Sequence, residues 1–76
     1  MDDTATLDAT GLKCPLPVLK ARKAMKALAP GGLLTVLATD PDSPKDFAAF
    51  CAATGHSLEE RRESEGVFTY RIRKAG

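Results

Sequence analysis

Apolar residues recur at three- and four-residue intervals in the first half of this chain, between Pro15 and Ala29. They are Val18, Ala21, Met25 and Leu28. This is the spacing of one face of a helix, so the pattern predicts an amphipathic helix over Pro15 to Ala29. Proline suits a first helical turn, and Pro30-Gly31-Gly32 should end the helix.

A second pattern, without polar interruption, predicts strands. Leu33 to Ala38 is a nearly continuous apolar run that is rich in strand formers. Such a run is typical of a strand buried on both faces in the middle of a sheet. The shorter segment Thr4 to Asp8 predicts another strand, which the turn residues Ala9-Thr10-Gly11 should end.

The segment from Ser43 to Thr54 predicts a second helix. Ser43 can cap it, Pro44 fits its first position, and Asp46 completes a pattern similar to a capping box. Gly55 follows where a left-handed residue normally ends a helix.

The last third of the chain predicts an antiparallel hairpin. His56 to Glu63 and Val67 to Arg73 should form two strands around a turn at Ser64-Glu65-Gly66. The order is therefore βαβαββ, and two helices can cover only one face of a small sheet. We expect a two-layer α/β (α+β) sandwich, with a mixed four-stranded sheet and both helices on one face.

Length and composition limit the protein to one body. A chain of 76 residues has room for a single domain, residues 1–76, and its 43% hydrophobic and 28% charged residues are typical of a globular protein. No apolar stretch is long enough to span a bilayer, and Met1-Asp2-Asp3 lacks the basic start of a signal peptide. We expect a cytoplasmic location and no membrane partner.

Charge argues against a dedicated nucleic-acid binder. The net charge is only +1, whereas a domain that binds DNA directly is expected to be strongly basic, and RNA binding is disfavoured for the same reason. Five cations nevertheless fall in one short stretch: Lys13, Lys20, Arg22, Lys23 and Lys26. The first helix therefore carries either a locally basic face or, as is more usual, an ordinary solvated surface.

Cys14 is the candidate reactive group. It stands directly before Pro15, at the predicted start of the first helix, where the helix dipole and unpaired amides favour an anion. Lys13 is adjacent, and neighbouring cations lower the pKa of a thiol. Pro15 and Pro17 should hold the first turn rigid. Sulfur exchange suits such a thiol, because it requires an accessible thiolate and no general base on the protein that accepts the sulfur.

Other chemistry finds little support. Cys51 lies on the predicted core face of the second helix and should be a buried small hydrophobe. A cysteine hydrolase needs an oriented base, and His56 has no evident partner that could orient it. His56 is the only histidine, which disfavours a metal site. Glu59 and Glu60 are adjacent on a predicted strand, so they should point to opposite faces and form no catalytic pair.

The segment LDATGLKCPLPVLKARKAM resembles the TusA-like (SirA-like) sulfur-carrier family, in which a CPxP motif opens the first helix after a DxxGxxCPxP lead-in. The motif residues here are Asp8, Gly11, Cys14, Pro15 and Pro17. The later segments PGGLLTVLATDP and YRIRK follow in the family's order, so the resemblance covers nearly the whole chain.

The resemblance implies a cytoplasmic carrier that holds sulfane sulfur as a persulfide on Cys14. In so small a domain with one histidine, we expect no other cofactor and no metal. The donor would be a cysteine desulfurase or a rhodanese-like protein, and the acceptor would be another protein. Gly11, Lys13, Pro15 and Pro17 would support the motif. Arg22 and Lys23 on the first helix, and Asp40 before Pro41, would help to bind partners.

Several alternatives stay open. Members similar to the tRNA-thiolation relay often have an acidic residue between the two prolines, whereas this chain has Leu16, so oxidative sulfur metabolism and supply to molybdenum-cofactor enzymes stand beside tRNA thiolation. A different class is a regulatory module whose basic first helix binds an acidic protein or RNA. A third is a redox sensor, which would require a bond between Cys14 and Cys51.

Overall fold

Six elements follow one another in the computed structural model of the protein, which describes residues 4–13 and 15–75. They are β1 (Thr4–Ala9), α1 (Leu16–Lys26), β2 (Leu33–Ala38), α2 (Ser43–Thr54), β3 (Ser57–Ser64) and β4 (Val67–Arg73). The strands form one sheet in the order β1-β2-β4-β3, in which β1 and β2 are parallel and the other neighbours are antiparallel. The predicted fold class is confirmed.

Both helices cover the same face of the sheet, because one cluster of buried side chains joins them to alternate strand positions. Its members are Ala9, Ala21, Met25, Leu28, Leu34, Val36, Ala38, Phe47, Phe50, Cys51, Tyr70 and Ile72. Burial of a large apolar side chain contributes about 1.5–3 kcal/mol, so this cluster is the main source of stability.

Strand β2 is central in the sheet, as predicted, but the prediction that both of its faces are buried is wrong. Leu34, Val36 and Ala38 are fully buried, whereas the alternate residues are only half-buried. The sheet has helices on one side alone, so every second residue of β2 faces the open side. Leucines at positions 33 and 37 make the run look uniform in the sequence.

Helix α1 is shorter than the predicted Pro15 to Ala29. It ends at Lys26, and the chain then tightens, with the amides of Ala27 and Leu28 donating to carbonyls three residues earlier. Leu28 is still buried in the core. The apolar spacing therefore continues past the end of the helix, because a tight turn keeps Leu28 pointing inward.

The start of α2 differs from the predicted cap. Asp42 occupies the N-cap position, and Ser43 is the first helical residue. Its side-chain oxygen is buried and lies 2.7 Å from the Tyr70 hydroxyl, so it does not cap the helix. Tertiary contact with β4 thus replaces the local role that the sequence suggests. At the other end, Gly55 has the predicted left-handed conformation, with φ of +81°, and its amide donates to the Cys51 carbonyl.

The hairpin β3–β4 has a two-residue turn, Glu65-Gly66, in which both residues have positive φ. The pairing register shifts between Leu58 and Glu60, which marks a β-bulge. Because of the extra residue, Glu59 and Glu60 both reach arginines on the exposed side of β4: Glu59 pairs with Arg73 at 3.2 Å, and Glu60 with Arg71 at 3.9 Å. The prediction that the two carboxylates point to opposite faces is therefore wrong.

Candidate functional site at the carboxyl ends of the parallel strands

An open groove lies where β1 and β2 end. The two strands are parallel, so their carboxyl ends meet at one edge of the sheet, which is the usual position of sites in α/β proteins. The groove encloses about 410 Å³. Its lining residues are Gly11, Leu12, Lys13, Thr39, Asp40, Pro41 and Asp42. It therefore joins the segment that precedes Cys14 to the segment between β2 and α2.

The lead-in to Cys14 is organised by Asp8 and Gly11. One carboxylate oxygen of Asp8 accepts from the Thr10 amide at 3.0 Å and from the Thr10 hydroxyl at 2.6 Å. These bonds lower the pKa of Asp8 below its ordinary value of 3.8. Gly11 has a φ of +79°, and no atom would obstruct an added Cβ, so backbone conformation rather than space accounts for the glycine.

Thr39 links the two sides of the groove. Its hydroxyl accepts a hydrogen bond from the Gly11 amide at 2.8 Å, across 28 positions in the sequence. Thr39 was not among the predicted site residues. The only local signal is a hydroxyl residue at the carboxyl end of a buried strand, next to Asp40.

Asp40 shapes the other wall of the groove. Its carboxylate accepts from the Asp42 amide at 3.0 Å, and its carbonyl accepts from the Ser43 amide at 2.9 Å. Asp40 is half-buried. Its side chain thus organises the turn into α2, and a role in binding partners stays a prediction.

Cys14 itself lies outside the described residues, so the structure informs on its neighbours. Lys13 lines the groove and is exposed, and Pro15 is the N-cap residue of α1. The Leu16 amide donates to the Lys13 carbonyl at 2.9 Å, and the Leu19 amide donates to the Pro15 carbonyl at 3.1 Å.

These bonds bear on how an anion could be stabilised at the start of α1. The amides of Leu16 and Leu19 already have partners, and prolines 15 and 17 have no N–H to donate. The expected contribution from free amides of the first turn is therefore reduced. The helix dipole and the adjacent Lys13 also contribute positive potential there.

The structure places Arg22 and Lys23 in different surroundings. Both are exposed, but the Arg22 guanidinium lies over the Phe50 ring, 5.8 Å from its centre. Successive helical residues point about 100° apart, so Lys23 projects away from α2. Arg22 therefore contacts α2, and Lys23 lies on the outer surface of α1.

The contacts of Cys51 and His56 indicate that both residues serve the fold. Cys51 is a free thiol with only 7% of its surface exposed, and burial raises its pKa. The prediction that it is a core residue is confirmed. His56 Nδ1 accepts from the Ala75 amide at 2.9 Å, and its ring packs near Phe50. Within residues 4–13 and 15–75, no cluster of acidic, histidine and cysteine side chains is suited to hold a metal ion.

The family model of the sulfurtransferase TusA matches residues 5–74. This chain belongs to the TusA family. The sulfur carrier protein TusA of Pseudomonas aeruginosa is 51% identical over 70 residues, which cover 92% of this chain and 89% of the relative. The sulfur carrier protein TusA of Allochromatium vinosum is 51% identical over 69 residues, which cover 91% of each chain. A Neisseria meningitidis relative is 57% identical over 67 residues.

Solved structures agree with the TusA assignment. The crystal structure of a SirA-like protein from Desulfitobacterium hafniense superposes with a TM-score of 0.83 at 32% identity, covering 95% of this chain and 99% of that one. The TusA-like family that the sequence predicts is thereby confirmed. In the described part of this TusA-family chain, neither helix is both long and apolar enough to cross a membrane.

Proposed function

We propose that this protein is a cytoplasmic sulfur carrier, which accepts sulfane sulfur as a persulfide on Cys14 and passes it to an acceptor protein. The observation that carries the proposal is the TusA family match over residues 5–74, a range that includes the motif Cys14-Pro15-Leu16-Pro17. The groove beside Lys13 supports it, because a partner thiol needs room to approach position 14.

The transfer step requires little from the carrier. The Cys14 thiolate attacks the outer sulfur of a donor persulfide, R–S–SH. The S–S bond of the donor breaks, a new S–S bond forms to Cys14, and the donor leaves as the thiolate R–S⁻ while the outer sulfur keeps its proton. Charge and oxidation state balance, so the step needs neither an external oxidant nor a cofactor. An acceptor thiolate then removes the sulfur by the same reaction.

The surroundings of Cys51 favour this carrier over a two-cysteine redox sensor. Thiol exchange needs access to the sulfur and an ionised thiol, and Cys51 is buried with a raised pKa. Cys14 would therefore work alone.

The donor in this proposal is a cysteine desulfurase or a rhodanese-like protein. Lys23 on the outer surface of α1, Arg22 beside Phe50 and Asp40 in the groove would contribute to binding of donor and acceptor. The acceptor pathway could be tRNA thiolation, oxidative sulfur metabolism or supply to molybdenum-cofactor enzymes, and purification of the loaded carrier with its bound partner would choose among them.

Intact-protein mass spectrometry tests the carrier function. After incubation with inorganic polysulfide and removal of the excess, the wild-type protein should gain the mass of at least one sulfur atom, and a reductant should remove it. Cys14→Ser should gain nothing, whereas the matched control Cys51→Ala should gain as much as the wild type. Uptake by Cys14→Ser equal to that of the wild type would refute the proposal.

A further inference from the structure

Opposite charges line the groove at the carboxyl ends of β1 and β2. Lys13 belongs to the wall that leads to Cys14. Asp40 and Asp42 belong to the wall that leads into α2. The groove therefore offers an ammonium group on one side and carboxylates on the other.

The ammonium of Lys13 and the carboxylate of Asp42 do not neutralise each other. Among residues 4–13 and 15–75, ion pairs join only arginines and glutamates of β3 and β4, so neither side chain has an ion-pair partner there. Both side chains are exposed. Asp42 is the N-cap residue of α2, where an aspartate usually accepts from a helix amide, yet its side chain forms no capping hydrogen bond. Both charges are thus available to a ligand that carries their opposites.

The groove has the size of a small-molecule site. Its volume of about 410 Å³ lies at the lower end of the range for ligand pockets, which is roughly 300–1,000 Å³. Leu12 and Pro41 add apolar side chains to its lining. Lys13 directly precedes Cys14 in the chain, so a ligand that contacts Lys13 is one residue from the thiol.

We infer that this groove binds a low-molecular-weight persulfide with an amino acid head group, of which cysteine persulfide is the simplest, and that Cys14 takes sulfur from it directly. This inference rests on the proposed carrier function and adds a small donor to the protein donors. The Asp42 carboxylate binds the ammonium of the ligand, and the Lys13 ammonium binds its carboxylate. A cysteine inside a donor protein has neither charge, because both groups form peptide bonds, so the two contacts select the free amino acid.

Sulfur transfer from this donor is balanced. The Cys14 thiolate attacks the outer sulfur of cysteine persulfide, the S–S bond of the donor breaks, and a new S–S bond forms to Cys14. Free cysteine leaves as its thiolate, while the outer sulfur keeps its proton. The step consumes neither an oxidant nor a reductant.

A set of small persulfides separates the two charge contacts. Cysteine persulfide has both charges, cysteamine persulfide has only the ammonium, thioglycolate persulfide has only the carboxylate, and mercaptoethanol persulfide has neither. Intact-protein mass spectrometry after quenching by alkylation measures the second-order rate constant for loading of Cys14 from each donor. The rate constant of each variant is divided by that of the wild type, which removes differences in the intrinsic reactivity of the persulfides.

Asp42→Asn should slow loading from the cysteine and cysteamine persulfides about threefold to fivefold, as expected for the loss of one exposed ion pair. It should leave the other two donors at the wild-type rate. Lys13→Gln should slow loading from the cysteine and thioglycolate persulfides by a similar factor, beyond any loss with mercaptoethanol persulfide, which reports a change at the thiol itself. Asp46→Asn and Lys45→Gln are the matched controls: they remove the same charges from α2 outside the groove and should treat all donors alike.

The outcomes separate this inference from the carrier function. Equal rate ratios for all donors in both groove variants would overturn the recognition of a zwitterion, and so would the same donor selectivity in the control variants. A wild-type protein that inorganic polysulfide loads and cysteine persulfide does not would also overturn it. If Cys14 of the wild type took sulfur from neither polysulfide nor any of the small persulfides, the carrier function itself would be refuted.

Discussion

At the scale of single residues, buried polar contacts fix details of the fold that the sequence alone does not show. Ser43 is 1% exposed, and its hydroxyl has the Tyr70 hydroxyl as partner at 2.7 Å. Tyr70 also stacks on Phe47, with ring centres 4.6 Å apart, and burial raises the pKa of Tyr70. The pair holds the start of α2 against β4, so its removal should loosen the wall of the groove.

Tyr70→Phe should destabilise the protein by about 1–2 kcal/mol, because it leaves the buried Ser43 hydroxyl without a partner. Ser43→Ala should have a similar cost for the same reason. Since each change removes one interaction, the double variant should lose less than the sum of the two. Urea unfolding of all four proteins measures this coupling, and strictly additive losses would contradict it.

Asp8 makes the stability of the turn after β1 dependent on pH. Its pKa is lowered in the folded state by the hydrogen bonds from Thr10, so its contribution is present above the unfolded value near 3.8 and is lost as pH falls through the folded value. Asp8→Asn should therefore show a shallower loss of melting temperature than the wild type below about pH 4. Parallel melting curves of the two proteins in that range would contradict this role.

At the scale of elements, the site depends on two segments that are distant in the sequence. The turn after β1 and the turn after β2 are joined by the bond between the Gly11 amide and the Thr39 hydroxyl. The parallel pairing of β1 with β2 brings these turns together, with Ala9 opposite Ala38. The position of the segment that leads to Cys14 is thus coupled to the start of α2.

Thr39→Val should remove this link while keeping the shape of the side chain. The expected cost is about 1 kcal/mol in the free energy of unfolding, the usual contribution of one hydrogen bond. The rate at which iodoacetamide alkylates Cys14 should also change, since its lead-in segment loses a restraint. Thr39→Ser keeps the hydroxyl and should restore both quantities; equal behaviour of the valine and serine variants would argue against the link.

The elements could be predicted where the signal is local. Signals such as the apolar run of β2, the spacing of α1 and the glycine after α2 each act within a few residues. All six elements were therefore predicted. Their predicted bounds differ from the observed ones by a few residues, and the largest difference is at the end of α1. The contacts that depend on distant residues were missed. Ser43 was predicted to cap α2, because its actual partner, Tyr70, is 27 positions away and gives no local signal. The bulge at Glu59 was missed because it depends on pairing with β4.

At the scale of the whole molecule, the charges are segregated. Arg62, Arg71 and Arg73 of β3 and β4 pair with Glu59 or Glu60 on the sheet, whereas the cations of α1 have no acidic neighbour on their helix. The basic stretch was visible in the sequence. The sequence did not show that Arg22 lies beside Phe50 whereas Lys23 lies beside the exposed Leu16 and Leu19, because the position of α2 determines this difference.

The central claim is that sulfur is carried at position 14. Peptide mapping of the protein after loading by a cysteine desulfurase, with the persulfide trapped by alkylation, tests it most directly. The account predicts the additional sulfur on the peptide that contains Cys14 and none on the peptide that contains Cys51. Additional sulfur on Cys51, with Cys14 unmodified, would contradict it.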